Sequence, residues 1–264
     1  MTLMQAKIGT NVKIAKTAII EDGVEIGDNT EICDFAIIRS GTKIGSNCKI
    51  FPHSVIGEGP QDKSFSDEHS YVEIGDNNVF REFTTIHKAV GMNQATKIGN
   101  NNYFMVMAHV GHNVQIGNNV VLANKVALGG HVVVEDFANI GGGAVVHQNC
   151  RIGKYCMVSG LSATNHDLVP FFTYGGIPSG AVSTNRFALK KAGYDQVIRT
   201  EIMRAFKIIY SSQSGIPRIL ERLETELLRS DEIDYIISFI KNSKRSISLT
   251  RMALGRTRDD SEVA

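Results

Sequence analysis

Isoleucine returns at every sixth residue through the first part of the chain: Ile8, Ile14, Ile20, Ile26, Ile32, Ile38, Ile44, Ile50 and Ile56. After a break the step resumes at Ile74, Phe80 and Ile86. After another it runs Ile98, Phe104, Val110, Ile116, Leu122, Leu128, Val134, Ile140, Val146, Ile152, Val158 and Thr164. Of these 24 positions 21 are Ile, Leu or Val. A period of six would smear aliphatic residues around an α-helix, but it suits short strands joined by corners. The residue two places before each of the early isoleucines is usually small (Val12, Ala18, Val24, Thr30, Ala36, Thr42, Cys48, Ser54). Strand alternation puts both positions on one face. Ile-Gly recurs at 8, 26 and 44, again at 56 and 74, and at 98, 116 and 152, which favours a step of 18 or a multiple of it. Three hexads then make one coil of a triangular β-solenoid, a parallel β-helix of hexapeptide repeats. The glycines are expected at corners that need unusual backbone angles.

Two insertions interrupt the prism, at 57–73 and 87–97, and loops leaving a regular solenoid often carry its function. Hexads stop near Pro170, and 170–184 reads as an irregular Gly/Ser/Pro-rich exit connector. The β-helix is thus assigned to 1–184 and a C-terminal α-helical domain to 185–264. Helices are expected at NRFALKKA before Gly193, at Asp195 to Tyr210, at Ile216 to Leu228 and at Asp231 to Ile240, with a frayed tail after Arg256.

Composition narrows the class. The 264 residues are 42% hydrophobic and 21% charged, enough for a sizeable core, and a net charge of +1 argues against bulk polyanion binding. The opening MTLMQAKIGT lacks an apolar run of signal-peptide length. No stretch approaches the roughly 18 to 20 apolar residues of a membrane span, so a cytoplasmic address is expected. Cys33, Cys48, Cys150 and Cys156 form no CxxC pair and read as small buried fillers.

His112, His131, His147 and His166 are separated by 19, 16 and 19 residues, each near one coil, so they should line one edge, with His109 close by. Imidazoles there suit proton transfer near neutral pH and substrate contact. Histidines on adjacent faces can also ligate zinc. The gap of three in AHVGH differs from the spacing of β-helical carbonic anhydrases, and metal is the weaker reading. With no GxSxG elbow, acyl transfer would be direct attack by the acceptor, and no cofactor is expected.

AHVGHN at 108–113, LGGH at 128–131, AVVHQ at 144–148, PQD at 60–62 and ALKKAGY at 188–194 occur in an ordered set. In these motifs the chain resembles, over nearly its whole length, the UDP-N-acetylglucosamine O-acyltransferases, the first enzymes of lipid A synthesis. The resemblance implies a left-handed β-helix, against the usual right-handed crossover, assembled as a homotrimer with active sites between adjacent prisms. It implies acyl carrier protein as donor and a UDP-amino-sugar as acceptor. His112 would be the general base on the sugar 3-hydroxyl, Gly130 would offer its backbone N–H to the oxyanion, and His131 would position the thioester. Asp62 and His109 would hold the sugar, while His147, Gln148, Asn185 and Lys191 would contact sugar or phosphates. Gly160 matches a position that limits acyl-chain length, and a glycine there leaves room for a long hydroxyacyl chain.

Several positions depart from the family pattern. Asn113 replaces the usual Asp beside the base, so an amide orients the imidazole without stabilising its charge. Ser64 stands where a loop lysine is common, Lys191 where Arg is, and His147-Gln148-Asn149-Cys150 where HQFC is. These leave the acceptor, a 3-hydroxyl or a 3-amino group, open. Lys190, Lys191, Arg199, Arg204 and Lys207 are candidates to receive an acidic carrier protein. The alternatives are an acetyl-CoA-dependent nucleotide-sugar acetyltransferase and a non-catalytic scaffold.

Overall fold

The computed structural model describes residues 5–211 and 214–252; the tail after Arg256 lies outside the described residues. Short parallel strands wind into three sheets that form the faces of a triangular prism. On the first face Lys7–Ile8 pairs with Glu25–Ile26, which pairs with Thr42–Ile44, so Ile8, Ile26 and Ile44 stand in register. The second face starts at Lys13–Ile14 and the third at Ile19–Ile20. Among the described residues the sheets hold eight, ten and eight strands.

Each hexad turns its aliphatic residue and the small residue before it inward. From Ile26 to Ile56 every sixth isoleucine is no more than 3% exposed, and the small partners Val24, Thr30, Ala36, Thr42, Cys48 and Ser54 are buried with them. The small residue leaves the volume the large one fills, and each fully buried aliphatic contributes roughly 1.5–3 kcal/mol. Phe80 and Phe104, one coil apart, stack at 4.7 Å between centroids. The first coil is an open end, where Ile8 and Ile14 are 45% and 39% exposed.

The role expected of the Ile-Gly glycines is corrected. Of these only Gly57 has a left-handed φ; Gly9, Gly27, Gly45, Gly75, Gly99, Gly117 and Gly153 do not. The left-handed corner position falls two residues later and is held by Asn11, Asn29, Asn47, Asn77, Asn101 and Asn119. Asparagine tolerates that conformation better than other side-chain-bearing residues. The glycines serve close approach instead: a Cβ on Gly27 would lie 2.6 Å from the carbonyl carbon of Gly45 in the next coil.

The insertions are shorter than expected, because Val55–Glu58, Tyr71–Ile74, Thr85–His87 and Ala95–Ile98 are strands that run into their ends. What remains are loops 59–70 and 88–94. The stretch read as an irregular connector is also ordered: Phe172–Gly175 and Gly180–Thr184 form an antiparallel hairpin on the second face. Phe172, Tyr174 and Ala181 are buried there, Ala181 pairing with Tyr174 across the hairpin.

Helices α1 (Arg186–Lys191), α2 (Gln196–Ser211), α3 (Ile216–Glu226) and α4 (Asp231–Lys241) follow. The α4 start has a Ser230 cap accepting from the Ile233 N–H, with Asp231, Glu232 and Asp234 in the first turn to complement the helix dipole. α2, α3 and α4 bury Ile202, Phe206, Ile219, Leu223, Ile236 and Ile240. The Tyr210 and Tyr174 hydroxyls lie 2.8 Å apart, so helices and last coils share one core. After α4 the chain returns to the prism, where Ile247 bridges Asp167 and Arg251 bridges Ala181. No helix among the described residues is long and apolar enough to cross a membrane.

Candidate active site

The edge between the third and first faces carries the histidines, and strand register decides which of them meet. Val110, Leu128 and Val146 align on successive coils. His112, Gly130 and Gln148 are therefore equivalent corner positions, followed by Asn113, His131 and Asn149 in the left-handed conformation. His112, His131 and His147 share the edge but occupy different corner positions, which is why their spacings miss 18. Gly130, 18 residues after His112, makes room for the imidazole. A Cβ on it would come 2.5 Å from His112 Cε1 and nearer still to Nε2. Among the described residues the Gly130 N–H meets no acceptor.

His112 Nδ1 lies 2.9 Å from Asn113 Oδ1. On its other side Nε2 is 3.6 Å from Asp62 Oδ2, which reaches over from loop 59–70. Ser64 fixes that carboxylate: its N–H and hydroxyl both donate to Asp62 Oδ1, at 2.8 and 2.7 Å, and hold the Asp62 carboxyl below the usual range. The two loops brace each other. Glu68 accepts from the Gly91 N–H at 2.7 Å and from Ser66, which lowers its carboxyl to about 2. The Asn93 N–H donates to the His69 carbonyl.

His131 meets the His112 ring edge-on, 5.1 Å between centroids, and burial followed by the neighbouring His112 lowers its pKa. His109 sits on the third face just before the edge, with Nδ1 2.8 Å from Thr85 Oγ1. Burial, with His87 adding to it, brings His109 down to about 4, so the ring is neutral at pH 7. His87 packs edge-on against His109 at 5.2 Å, buried, with Nδ1 unpartnered. The sequence does not announce His87, because it begins an insertion, although Thr85 pairs with His109 in the adjacent coil.

His147 and Gln148 lie exposed one coil beyond Gly130. His147 Nδ1 is 3.3 Å from Arg245 Nη2, a contact across 98 residues that no local pattern signals. His166 faces the Arg245 carbonyl and helps seat the segment after α4.

The remaining expected site residues stand elsewhere on the single chain. Gly160 is at the corner between the second and third faces, where a Cβ would be 3.1 Å from the Gly142 carbonyl oxygen. Asn185 and Lys191 border a cavity of about 650 Å³ over the second face, with Phe137, Tyr155 and Met157. The Asn185 amide is engaged within the chain: Oδ1 caps α1 through the Ala188 N–H, and Nδ2 donates to the Tyr155 carbonyl. Of the basic residues proposed for a carrier protein, Arg204 is tied to Glu201 and to the Glu226 carbonyl.

Hexads wound on this edge geometry define a transferase of the hexapeptide-repeat class, and the bacterial transferase hexapeptide model matches residues 5–40 and 95–130. The model for domain 2 of UDP-N-acetylglucosamine O-acyltransferase matches residues 167–248. An acyl-[acyl-carrier-protein]–UDP-N-acetylglucosamine O-acyltransferase from Anaeromyxobacter sp. (strain K) is 34% identical over 190 residues, 72% of this chain and 74% of its own. The UDP-N-acetylglucosamine acyltransferase structure from Bacteroides fragilis is 37% identical, with a TM-score of 0.88 over 94% of this chain and 98% of the other. That from Campylobacter jejuni is 33% identical, with a TM-score of 0.86 over 93% and 96%. The chain belongs to the UDP-N-acetylglucosamine O-acyltransferase family, and its coil is left-handed.

Proposed function

We propose that this acyltransferase moves a 3-hydroxyacyl chain from acyl carrier protein to the 3-hydroxyl of UDP-N-acetylglucosamine, in lipid A synthesis. The observation that carries the mechanism is the packing of His112 against Gly130, a base beside an unused N–H donor. His112 Nε2 takes the 3-hydroxyl proton as the oxygen attacks the thioester carbonyl. The Gly130 N–H receives the developing oxyanion, and stabilising that charge is a major source of rate enhancement in acyl transfer. Collapse expels the carrier thiolate, which takes the proton back from His112.

Asp62, beside the base, and neutral His109, on the third face just before the edge, suit the sugar; His131 is the neighbour suited to the thioester, and His147 and Gln148 extend the edge beyond it. Gly160, Asn185 and Lys191 sit at other places on one prism, and this separation supports a homotrimer in which a second copy completes each site. Gly160 would then floor the acyl groove and Lys191 would meet the phosphates.

Replacement of His112 by Ala should lower turnover about 10²–10⁴-fold, the usual worth of a positioned base. Unchanged turnover would remove His112 from that role. A 3-amino acceptor is the second reading, favoured by Asn113, because a more nucleophilic amine needs less help from a charged partner.

A further inference from the structure

We propose that the backbone of Val90, in loop 88–94, sets the tautomer of the base: it clamps the Asn113 amide in one orientation, and the amide oxygen then fixes a proton on His112 Nδ1. The inference rests on the reading of His112 as the base.

A side-chain amide can ordinarily be turned over without visible consequence, so its oxygen and nitrogen must be told apart by their partners. Here the partners are unambiguous. The Val90 N–H can only donate, and it meets Asn113 Oδ1 at 2.9 Å; the Val90 carbonyl can only accept, and it meets Asn113 Nδ2 at 3.0 Å. The Asn113 backbone is held as well, with its N–H donating to Thr96 Oγ1 at 2.9 Å and φ at 58°.

The oxygen so fixed lies 2.9 Å from His112 Nδ1. Two acceptors do not share a contact of that length, so Nδ1 bears the hydrogen. A neutral imidazole has one N–H. Nε2 therefore presents its lone pair, on the side where Asp62 and Gly130 lie. The departure from Asp acquires a reason: a carboxylate at 113 would satisfy the Val90 N–H and His112 but set an acceptor against the Val90 carbonyl. Asn113 is a positioning residue, and the second insertion is part of the catalytic apparatus through it.

The titratable groups facing His112 are Asp62 from loop 59–70, His131 from the next coil and His87 from the preceding one. None contacts Nδ1, so the tautomer is set by Asn113.

The test combines ring-¹⁵N NMR of histidine-labelled full-length protein, with His112 assigned through His112→Gln, and kinetics of Asn113 variants. Wild type should show His112 as the Nδ1–H tautomer. Asn113→Ala should move population to Nε2–H and lower kcat about 10- to 100-fold with KM little changed. Asn113→Asp should keep Nδ1–H, recover much of kcat and shift the acidic limb of the pH profile upward by about one unit, because a carboxylate favours the imidazolium. An Nε2–H ring in wild type overturns the proposal, as does Asn113→Ala retaining both Nδ1–H and full kcat. A misfolded Ala variant leaves the wild-type spectrum and the Asp variant to decide. Absence of turnover in wild type would sink the proposed function, while the ring spectra would still report on the clamp.

Discussion

Substitution of Gly130 by Ala isolates the packing on which the site depends. The new Cβ would stand 2.5 Å from His112 Cε1. Ordinary carbon contacts begin near 3.5 Å, so the imidazole must retreat by about 1 Å. It cannot do so freely, because Nδ1 is bonded to Asn113 at 2.9 Å and the ring is flanked by His131 and Asp62. A misplacement of about 1 Å in a reacting group costs on the order of 10²-fold in rate, roughly 2.7 kcal/mol. The backbone itself accepts alanine, since Gly130 is not in the left-handed region, and its N–H is retained. Steady-state kcat should thus fall about 100-fold, while the crowding costs about 1–3 kcal/mol of stability and leaves the variant folded at the assay temperature. Near-wild-type turnover in the folded variant would refute the packing argument. A rate loss that merely follows a loss of stability would refute it too.

Asp62→Asn removes the carboxylate 3.6 Å from His112 Nε2. A carboxylate placed to hold the sugar hydroxyls is worth about tenfold in binding, so KM for the nucleotide sugar should rise about tenfold with kcat less affected; an unchanged KM would contradict the placement. Gly160→Met forces a side chain out over Gly142, and competition between carrier-linked acyl groups should show preference moving to shorter chains, an unchanged preference excluding Gly160 from the groove. His109 is held near pKa 4 against an ordinary 6.5. Between those values the unfolded chain binds the proton that the native site refuses, so stability falls as pH drops from 6.5 toward 4. The loss should reach about 2 kcal/mol after allowance for solvent screening, and urea titrations of His109→Gln should show that share of the slope gone. Phe104→Ala opens the stack with Phe80 and should cost about 3–5 kcal/mol in the same assay.

The prism was legible because a single rule, one inward aliphatic per hexad, is repeated too often to be masked by local variation. The same rule placed His112, His131 and His147 on one edge. It did not say which corner position each occupies, and that requires the strand register from Val110 to Val146. Gly130 was legible twice, as a motif residue and as the residue 18 after His112. Glycine lies behind two departures from the expected architecture. The glycines of Ile-Gly pairs invite the expectation of unusual angles because glycine permits them, whereas most of these corners put asparagine in the left-handed position and keep glycine for contact between coils; the left-handed glycines Gly23, Gly41 and Gly143 stand at other corners. The 170–184 hairpin was hidden by its Gly, Ser and Pro residues, which outnumber its buried apolar ones. Val90, His87 and Arg245 were invisible because their roles come from backbone groups, from a strand end taken for a loop and from a contact spanning 98 residues. Ser64, noted as a departure, proves to be the residue that aims Asp62.

Mass spectrometry of reactions that offer UDP-N-acetylglucosamine, or its 3-amino form, together with acyl carrier proteins of graded chain length and with acetyl-CoA reads donor, acceptor and bond type at once. One dominant product is expected, UDP-N-acetylglucosamine carrying a single long hydroxyacyl ester at the 3-position, formed from the carrier protein. Turnover with acetyl-CoA and none with long-chain carrier protein would contradict it, as would the absence of any acylated sugar.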